Sequence, residues 1–171
     1  MSAPKPTLIV MSGLPGTGKS AIARALAQAI RAVWLRIDSI ETAIADAPGQ
    51  LEDAGYRVAY AVAADNLRLG RDVIGDSVNP WTLTRDAWRD AGLAAGARVV
   101  EVEVVCSDAE THRRRVEERT VDVPGLVPPT WAEVAGRDYH PWDRERLVID
   151  TARLSVAEAV AAIRMALSRG P

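Results

Sequence analysis

The sequence predicts a three-layer α/β fold in which a five-stranded parallel sheet carries helices on both faces. Short apolar runs alternate with amphipathic stretches along most of the chain, and this alternation is typical of a parallel sheet that is covered on both sides. The length of 171 residues fits one domain over residues 1–171, because a chain of that size buries a substantial core. No repeat, low-complexity tract or linker divides the chain.

The strands and helices are predicted in order from the spacing of apolar residues. Strands are expected at residues 7–11, 33–37, 72–77, 98–106 and 146–150. The main helices are expected at residues 19–31, 53–69, 80–95, 108–119 and 155–168. Gly70 is a stop signal after the helix over 53–69, and Ser155 with Glu158 forms a capping box at the start of the last helix.

One long segment interrupts the alternation. Residues 120–145 contain prolines and glycines that break any long element, although residues 130–137 could form a short helix. A loop-rich insert of this length in a compact domain is usually functional. We therefore expect a lid over about residues 112–145.

The composition is that of a globular cytoplasmic protein. Lys and Arg number 21 and Asp and Glu number 23, so the net charge of −2 does not favour a nucleic-acid partner and leaves room only for a local basic patch. The single cysteine, Cys106, excludes an internal disulfide. No apolar stretch is long enough to cross a membrane, and the opening "MSAPKP" has no signal core. The sequence leaves the oligomeric state open.

The segment after the first predicted strand is a phosphate-binding loop. Residues 13–20, "GLPGTGKS", match G-x-x-x-x-G-K-[ST] in full, with a helix predicted after them. Glycines let backbone N–H groups face phosphate oxygens, Lys19 reaches the β- and γ-phosphates, and Ser20 ligates Mg²⁺. The full match disfavours the alternative of a tight turn with a chance lysine. The predicted contacts of ATP with Mg²⁺ are Gly13, Pro15, Gly16, Thr17, Gly18, Lys19 and Ser20.

In this loop and in the order of its elements, the chain resembles the P-loop small kinases. That group includes gluconate kinase, adenylylsulfate kinase, chloramphenicol phosphotransferase and the polynucleotide kinases. The resemblance extends over nearly the whole chain, although only the phosphate loop is a specific motif. It implies a P-loop NTPase fold, transfer of the γ-phosphoryl group to a hydroxyl, and an arginine-bearing lid. A small-molecule acceptor is the leading interpretation. A polynucleotide 5′-hydroxyl kinase and a nucleotide-dependent switch acting through a protein partner are the alternatives.

Two carboxylates follow predicted strands, at the edge of the sheet where ligands bind in open α/β folds. Asp38 follows the second strand and Asp76 the third. The resemblance implies that Asp38 accepts the proton of the acceptor hydroxyl and that Asp76 has a magnesium or substrate role. The simpler alternatives are that Asp38 is the N-cap of the next helix and that Asp76 is an ordinary turn acid.

The sequence also suggests residues that bind the acceptor. The stretch "DSVNPWTLTR" is similar to the Asp-Ser/Thr-Asn turn of polynucleotide-kinase-like proteins, except that Val78 separates Ser77 from Asn79. Those kinases place an arginine three residues after the second-strand acid, where this chain has Glu41. Because Glu41 repels phosphate, it favours a neutral or amine-bearing small molecule. Asn79 joins Asp38 and Glu41 as a candidate acceptor contact.

Trp81, Arg85 and Trp88 follow helical spacing after Pro80. The guanidinium of Arg85 could stack on the indoles or point into a pocket that they line, which makes Trp81 and Arg85 acceptor candidates. The alternative is that both tryptophans are core residues and that Arg85 extends outward to solvent.

The resemblance implies an arginine that stabilises charge on the transferred phosphoryl group. Arg119 adjoins the predicted lid and is the first choice, with Arg137 in reserve. Arg115 lies one helical turn before Arg119 and is expected to contact the nucleotide. The loop after the last strand approaches the adenine in related kinases, which makes Thr151 and Arg153 candidate base contacts.

Other polar and aromatic residues carry weaker signals. His112 and His140 are far apart, with no cysteine nearby, so they do not predict a metal site. Trp131, Tyr139 and Trp142 lie in or beside the insert. They could form an aromatic wall for a flat acceptor or seal the lid against the body of the domain, and the sequence does not separate these two roles.

Overall fold

The computed structural model describes residues 5–45 and 53–169. Its five strands are β1 (Thr7–Ser12), β2 (Val33–Arg36), β3 (Val73–Asp76), β4 (Arg98–Val105) and β5 (Leu147–Asp150). Its helices are α1 (Lys19–Ile30), α2 (Ile37–Ile44), α3 (Ala54–Arg68), α4 (Thr82–Ala94), α5 (Ala109–Glu117), α6 (Trp131–Ala135) and α7 (Val156–Ser168). The strands and main helices expected from apolar spacing are therefore confirmed, with ends that differ by a few residues. The amino-terminal "MSAP" lies outside the described residues.

The strands form one parallel sheet in the order β2-β3-β1-β4-β5. Alternate side chains of the central strand β1 enter two separate cores. Ile9 and Met11 pack with residues of α1 and α7, whereas Leu8 and Val10 pack with residues of α3 and α4. All four of these side chains are fully buried. The predicted α/β fold with helices on both faces is confirmed.

A glycine in β3 permits close packing of α4 on the sheet. A Cβ atom on Gly75 would lie 2.8 Å from ring atoms of Trp88, which is fully buried. The indole therefore lies directly on the backbone of β3. The interpretation of Trp88 as a core residue is confirmed, and its packing holds the middle of α4 against β3 one residue before Asp76.

The second half of the expected lid is fastened to the body of the domain. Arg144 donates from Nε and Nη2 to the carboxylate of Glu101 on β4, at 2.7 Å each. Arg146 donates from Nε to Glu103, two residues further along β4, at 2.9 Å. Both glutamates are buried. The segment that leads into β5 is therefore anchored, and any mobile lid is confined to the residues before it.

No helix in the described part of the chain is long and apolar enough to cross a membrane.

Candidate functional site

The phosphate loop has a backbone that only glycine adopts easily at three positions. Gly13, Gly16 and Gly18 have φ of 145°, 82° and 92°, in the region that L side chains disfavour. Space is also limited, because a Cβ atom on Gly13 would lie 2.3 Å from the carbonyl oxygen of Val104. The loop joins the end of β1 to the start of α1, so its amides lie at a helix N-terminus, which is a ready anion site.

Thr17 stabilises the loop from within. It is buried, and its Oγ1 donates to the carbonyl of Leu14 at 2.9 Å. Its own carbonyl accepts from Oγ1 of Thr151 at 2.7 Å. Five of the seven predicted contacts in the loop, Pro15, Gly16, Gly18, Lys19 and Ser20, line a cavity of about 1160 Å³ in front of it. Gly13 and Thr17 support the loop from behind.

Lys19 and Asp76 meet at the carboxyl end of the sheet. The Nζ of Lys19 lies 3.4 Å from Oδ1 of Asp76, and both side chains are at least nine-tenths buried. The other oxygen, Oδ2, accepts from the indole Nε1 of Trp34 at 3.1 Å. Among the described residues Oδ1 accepts no hydrogen bond, and its partner is the ion pair with Lys19. This carboxylate is therefore held in a fixed position by Trp34, and its second oxygen can take a further cation.

These donors fit Mg²⁺ accompanying a nucleotide. Mg²⁺ prefers oxygen ligands and is usually held by one or two protein groups together with substrate phosphates. The carboxylate of Asp76 and the hydroxyl of Ser20, which lines the cavity beside Lys19, are donors of that kind. The glycine cradle described above suits the phosphates themselves.

Asp38 faces the same cavity from α2. The strand β2 ends at Arg36, and the N-cap of α2 is Arg36. Asp38 is therefore in the first turn of the helix, and the alternative that it is the N-cap is wrong. Its Oδ2 lies 3.5 Å from an Nη2 atom of Arg119, which comes from the segment after α5. Both side chains line the cavity and are partly exposed.

Glu41 lies one turn further along α2 and also lines the cavity. It packs closely on α3, because a Cβ atom on Gly55 would lie 2.3 Å from its Cγ. The pKa of Glu41 is raised above its ordinary value, first by burial and then by the negative charge of Asp38. The two carboxylates therefore lie together on one side of the cavity, where Arg119 pairs with Asp38.

The structure does not bring Asn79 or Arg85 to the cavity wall. Asn79 is fully buried, has a φ of 47°, and donates from Nδ2 to the carbonyl of Met11 at 3.1 Å. Arg85 is 1% exposed and donates to four backbone carbonyls, two from each of two chain segments: those of Asn79 and Pro80, and those of His140 and Pro141. The expectation that Arg85 either enters a pocket or extends to solvent is corrected, since it joins two backbone segments.

The aromatic partners of Arg85 also differ from those expected. Its guanidinium lies 4.2 Å from the ring centroid of Trp142 and 4.9 Å from that of Tyr139. Trp81 lines the cavity, and its Nε1 donates to Asp138 at 3.2 Å. Tyr139 and Trp142 are absent from the described cavity wall. Of the two roles left open for these aromatic residues, sealing the segment against the body is the one that the contacts support.

The remaining predicted nucleotide contacts divide into two groups. Arg115 lines the cavity and donates from Nη1 to Oγ1 of Thr151 at 2.8 Å. Arg137, the reserve candidate for the arginine that stabilises the transferred phosphoryl group, lines the cavity as well. Thr151 and Arg153 are not among its lining residues: Thr151 contacts the back of the phosphate loop, and Arg153 is exposed and pairs with Asp150 at 3.4 Å.

Sequence reasoning missed two residues that support the site. Trp34 fixes Asp76 from the neighbouring strand, and its place two residues before the end of β2 was the available signal. His112 on α5 contacts the carbonyl of Pro15 in the phosphate loop at 2.8 Å. No local pattern marks His112, because the contact joins parts of the chain that are far apart in sequence.

Comparison with known families identifies the chain's relatives. A family model described as an AAA domain matches residues 8–128, which is more than half of the chain. No curated protein sequence matches the chain at a significant level.

Solved structures share the fold over nearly the full chain. A candidate kinase from Chloroflexus aurantiacus has a TM-score of 0.77 and 22% identity, over 99% of this chain and 100% of its own. The APS kinase of Mycobacterium tuberculosis, solved with AMPPNP and APS, has a TM-score of 0.71 and 20% identity, over 97% and 99%. A gluconokinase from Sinorhizobium meliloti has a TM-score of 0.63 and 18% identity, over 97% and 98%. The chain therefore belongs to the AAA domain family, and it has the fold of the P-loop kinases.

Proposed function

We propose that the protein is an ATP-dependent phosphotransferase that moves the γ-phosphoryl group to a hydroxyl of a small molecule. The observation that carries the proposal is the approach of Asp38 to Arg119 at 3.5 Å, in the cavity that the phosphate loop also lines. A proton acceptor, a cationic side chain and a phosphate cradle are parts that phosphoryl transfer to a hydroxyl uses. The kinases among the solved structures of the same fold support this assignment.

In this proposal, different residues of the cavity bind the nucleotide and accept the proton. ATP supplies the phosphoryl group, and Ser20 and Asp76 would hold Mg²⁺, which would offset the negative charge of the phosphates when bound. The loop amides and Lys19 bind the phosphates. Asp38 accepts the proton that the acceptor hydroxyl loses as its oxygen bonds to phosphorus, and ADP leaves with the electrons of the broken P–O bond. Arg119 stabilises the charge that develops on the transferred group.

Residues before the anchored segment act as the lid in this proposal. Leu126, Val127 and Pro129 line the cavity from the lid side. Closure over the site excludes water, which would otherwise accept the phosphoryl group in place of the hydroxyl. The ionic anchor of Arg144 and Arg146 on β4 gives the lid a fixed end from which to close.

The cavity favours an acceptor that is neutral or amine-bearing. Asp38 and Glu41 lie next to the place proposed for the reacting hydroxyl, and these two carboxylates would repel a phosphate group of the acceptor there. Exposed apolar side chains line the mouth of the cavity from both sides: Leu83 is 77% exposed on α4 and Val127 is 85% exposed on the lid. Apolar surface of this kind suits the part of a ligand that does not react.

Label transfer from γ-labelled ATP tests the proposal. The protein is incubated with Mg²⁺ and a fractionated small-molecule extract, and in parallel with a 5′-hydroxyl oligonucleotide. Label in a soluble metabolite is expected, and it identifies the acceptor. Label in the oligonucleotide would instead support a polynucleotide kinase. Label found only in free phosphate, at a rate stimulated by a protein partner, would support a nucleotide-dependent switch.

A further inference from the structure

The carbonyls of the phosphate loop are held by partners outside the cavity. The carbonyl of Thr17 accepts from Oγ1 of Thr151 at 2.7 Å, and that of Pro15 contacts Nε2 of His112 at 2.8 Å. In a trans peptide the carbonyl and the following N–H point in opposite directions. Holding the carbonyl of Pro15 away from the cavity therefore turns the N–H of Gly16 toward the phosphate side of the loop.

The N–H of Gly16 is free to bind a ligand. Within the described residues it donates to no acceptor in the protein. Gly16 lines the cavity between Pro15 and Gly18. A backbone N–H in this position is a suitable donor to a phosphate oxygen. Its direction depends on the peptide that His112 holds.

His112 is fixed on two sides. It is 7% exposed, and a Cβ atom on Gly16 would lie 3.3 Å from its Cδ2 atom, so the ring lies directly against the loop. On the other side, the ring of Trp131 in α6 meets it edge-on, with centroids 5.2 Å apart and an interplanar angle of 82°. The imidazole therefore links the phosphate loop to α6, which belongs to the expected lid region.

The hydrogen bond also defines the proton position on His112. A carbonyl oxygen only accepts, so Nε2 carries the proton and donates to Pro15. We propose that His112 is a positioning residue of the nucleotide site: its Nε2–H holds the carbonyl of Pro15 outward and so keeps the N–H of Gly16 directed at the bound phosphates. This inference rests on the nucleotide site of the proposed function.

Two variants of nearly the same size separate this hydrogen bond from general packing. In His112→Gln the side-chain amide nitrogen can take the place of Nε2 and still donate to Pro15, whereas in His112→Asn the amide is too short to reach it. Affinity for AMPPNP with Mg²⁺ is measured by calorimetry. His112→Asn is expected to raise Kd about 3- to 10-fold, the range of one lost hydrogen bond, and His112→Gln to stay within about twofold of the unmodified protein.

Steady-state kinetics and melting curves give independent readouts. The KM for ATP is expected to rise with Kd in His112→Asn while kcat changes little, because the chemical groups are intact. A structural role alone would lower the Tm of His112→Asn without raising Kd at temperatures well below melting. His140→Asn is the control, since the side chain of His140 lies 3.5 Å from Asp138 and does not line the cavity.

The outcomes distinguish this inference from the proposed function. An unchanged Kd in His112→Asn, or a Kd in His112→Gln as high as that of His112→Asn, overturns the positioning role. Failure of the unmodified protein to bind AMPPNP contradicts the proposed function instead. Trp131→Leu leaves the hydrogen-bonding atoms intact and is expected to raise Kd about threefold by loosening the ring. An unchanged Kd in that variant overturns the link to α6.

Discussion

Asp38 and Arg119 form the contact on which the proposed reaction depends. Asp38 is held in the first turn of α2, and Arg119 lies just after α5, so the tertiary fold brings them together. Their side chains are 33% and 21% exposed. Both groups therefore remain accessible to an acceptor and to a phosphoryl group while they contact each other.

Replacing Asp38 by asparagine tests its role as the proton acceptor. The amide keeps the size of the side chain but does not accept the hydroxyl proton, so kcat is expected to fall about 10²- to 10⁴-fold. The loop and Lys19 are untouched, and Kd for AMPPNP should stay within about twofold of the unmodified value, since Asp38 makes no contact with the loop. Label transfer and calorimetry on the same preparation measure both quantities.

Ser39→Ala is a matched control for that variant, because Ser39 neighbours Asp38 on α2 but does not line the cavity. It should leave both kcat and Kd unchanged. A rate in Asp38→Asn comparable to that of the unmodified protein would remove Asp38 from the chemistry and leave the nucleotide site intact.

Glu41 gives a pH dependence of stability whose sign follows from its environment. Its pKa is raised in the folded protein by burial and by Asp38, so the folded state holds a proton at pH values where the unfolded state has lost it. Stability contributed by Glu41 is therefore present at low pH and is lost as pH rises through the folded pKa. We expect Glu41→Gln to raise Tm relative to the unmodified protein more at pH 7 than at pH 4. Melting curves at the two pH values measure this difference, and an equal change at both would contradict it.

Among the secondary-structure elements, the segment that leads into β5 is held in place by ion pairs with buried carboxylates. The carboxylate of Glu101 is 3% exposed and accepts two hydrogen bonds from Arg144, while Arg89 lies further away at 3.7 Å. Arg144 also pairs with Asp86 on α4, at 2.5 Å. This network connects the sheet, α4 and the end of the lid region.

Arg144→Met tests that anchor. The substitution leaves Glu101 buried with only the longer ion pair to Arg89, and removing one partner of a buried pair is strongly destabilising. We expect a loss of about 2–4 kcal/mol in the free energy of unfolding, measured by urea denaturation. Arg113→Met removes an exposed helical pair with Glu117 and should leave the denaturation midpoint unchanged. Equal midpoints for both variants would contradict a special role for Arg144.

Local patterns predicted the elements well, and contacts between distant segments explain the differences. The phosphate loop and the capping box at Ser155 are encoded by neighbouring residues and are confirmed. The partners of Arg85 were not predictable from spacing along α4, because Tyr139 and Trp142 reach it only when the chain returns toward β5. The short span of β2 was misjudged for a similar reason, since Ile37 continues the apolar run but begins α2.

In the whole molecule, the strand order determines which elements a ligand bound at the phosphate loop stabilises. The phosphate loop leaves the central strand β1, between β3 and β4, and thus contacts both layers of helices through α1 and the turn after β3. The N–H of Gly13, for example, donates to the carbonyl of Val78 at 3.1 Å. Fixing the loop with a nucleotide is therefore expected to stabilise the domain as one unit.

Binding of ATP with Mg²⁺ should raise the Tm of the whole chain. A ligand at 100 times its Kd adds about 2.7 kcal/mol of stability, which for a domain of this size corresponds to about 5–10 °C. Differential scanning fluorimetry with AMPPNP measures the shift. Excess EDTA should reduce the shift in Tm, because it removes the Mg²⁺ that Asp76 and Ser20 would hold beside the phosphates.

The two lysines of the chain make a matched pair for this measurement. Lys19 is buried beside Asp76, whereas Lys5 is exposed before β1. Lys19→Ala is expected to abolish most of the shift, because it removes the positive charge at the phosphates. Lys5→Ala removes the same charge from the surface and should keep the full shift. An undiminished shift in Lys19→Ala would mean that AMPPNP stabilises the protein from a site other than the phosphate loop.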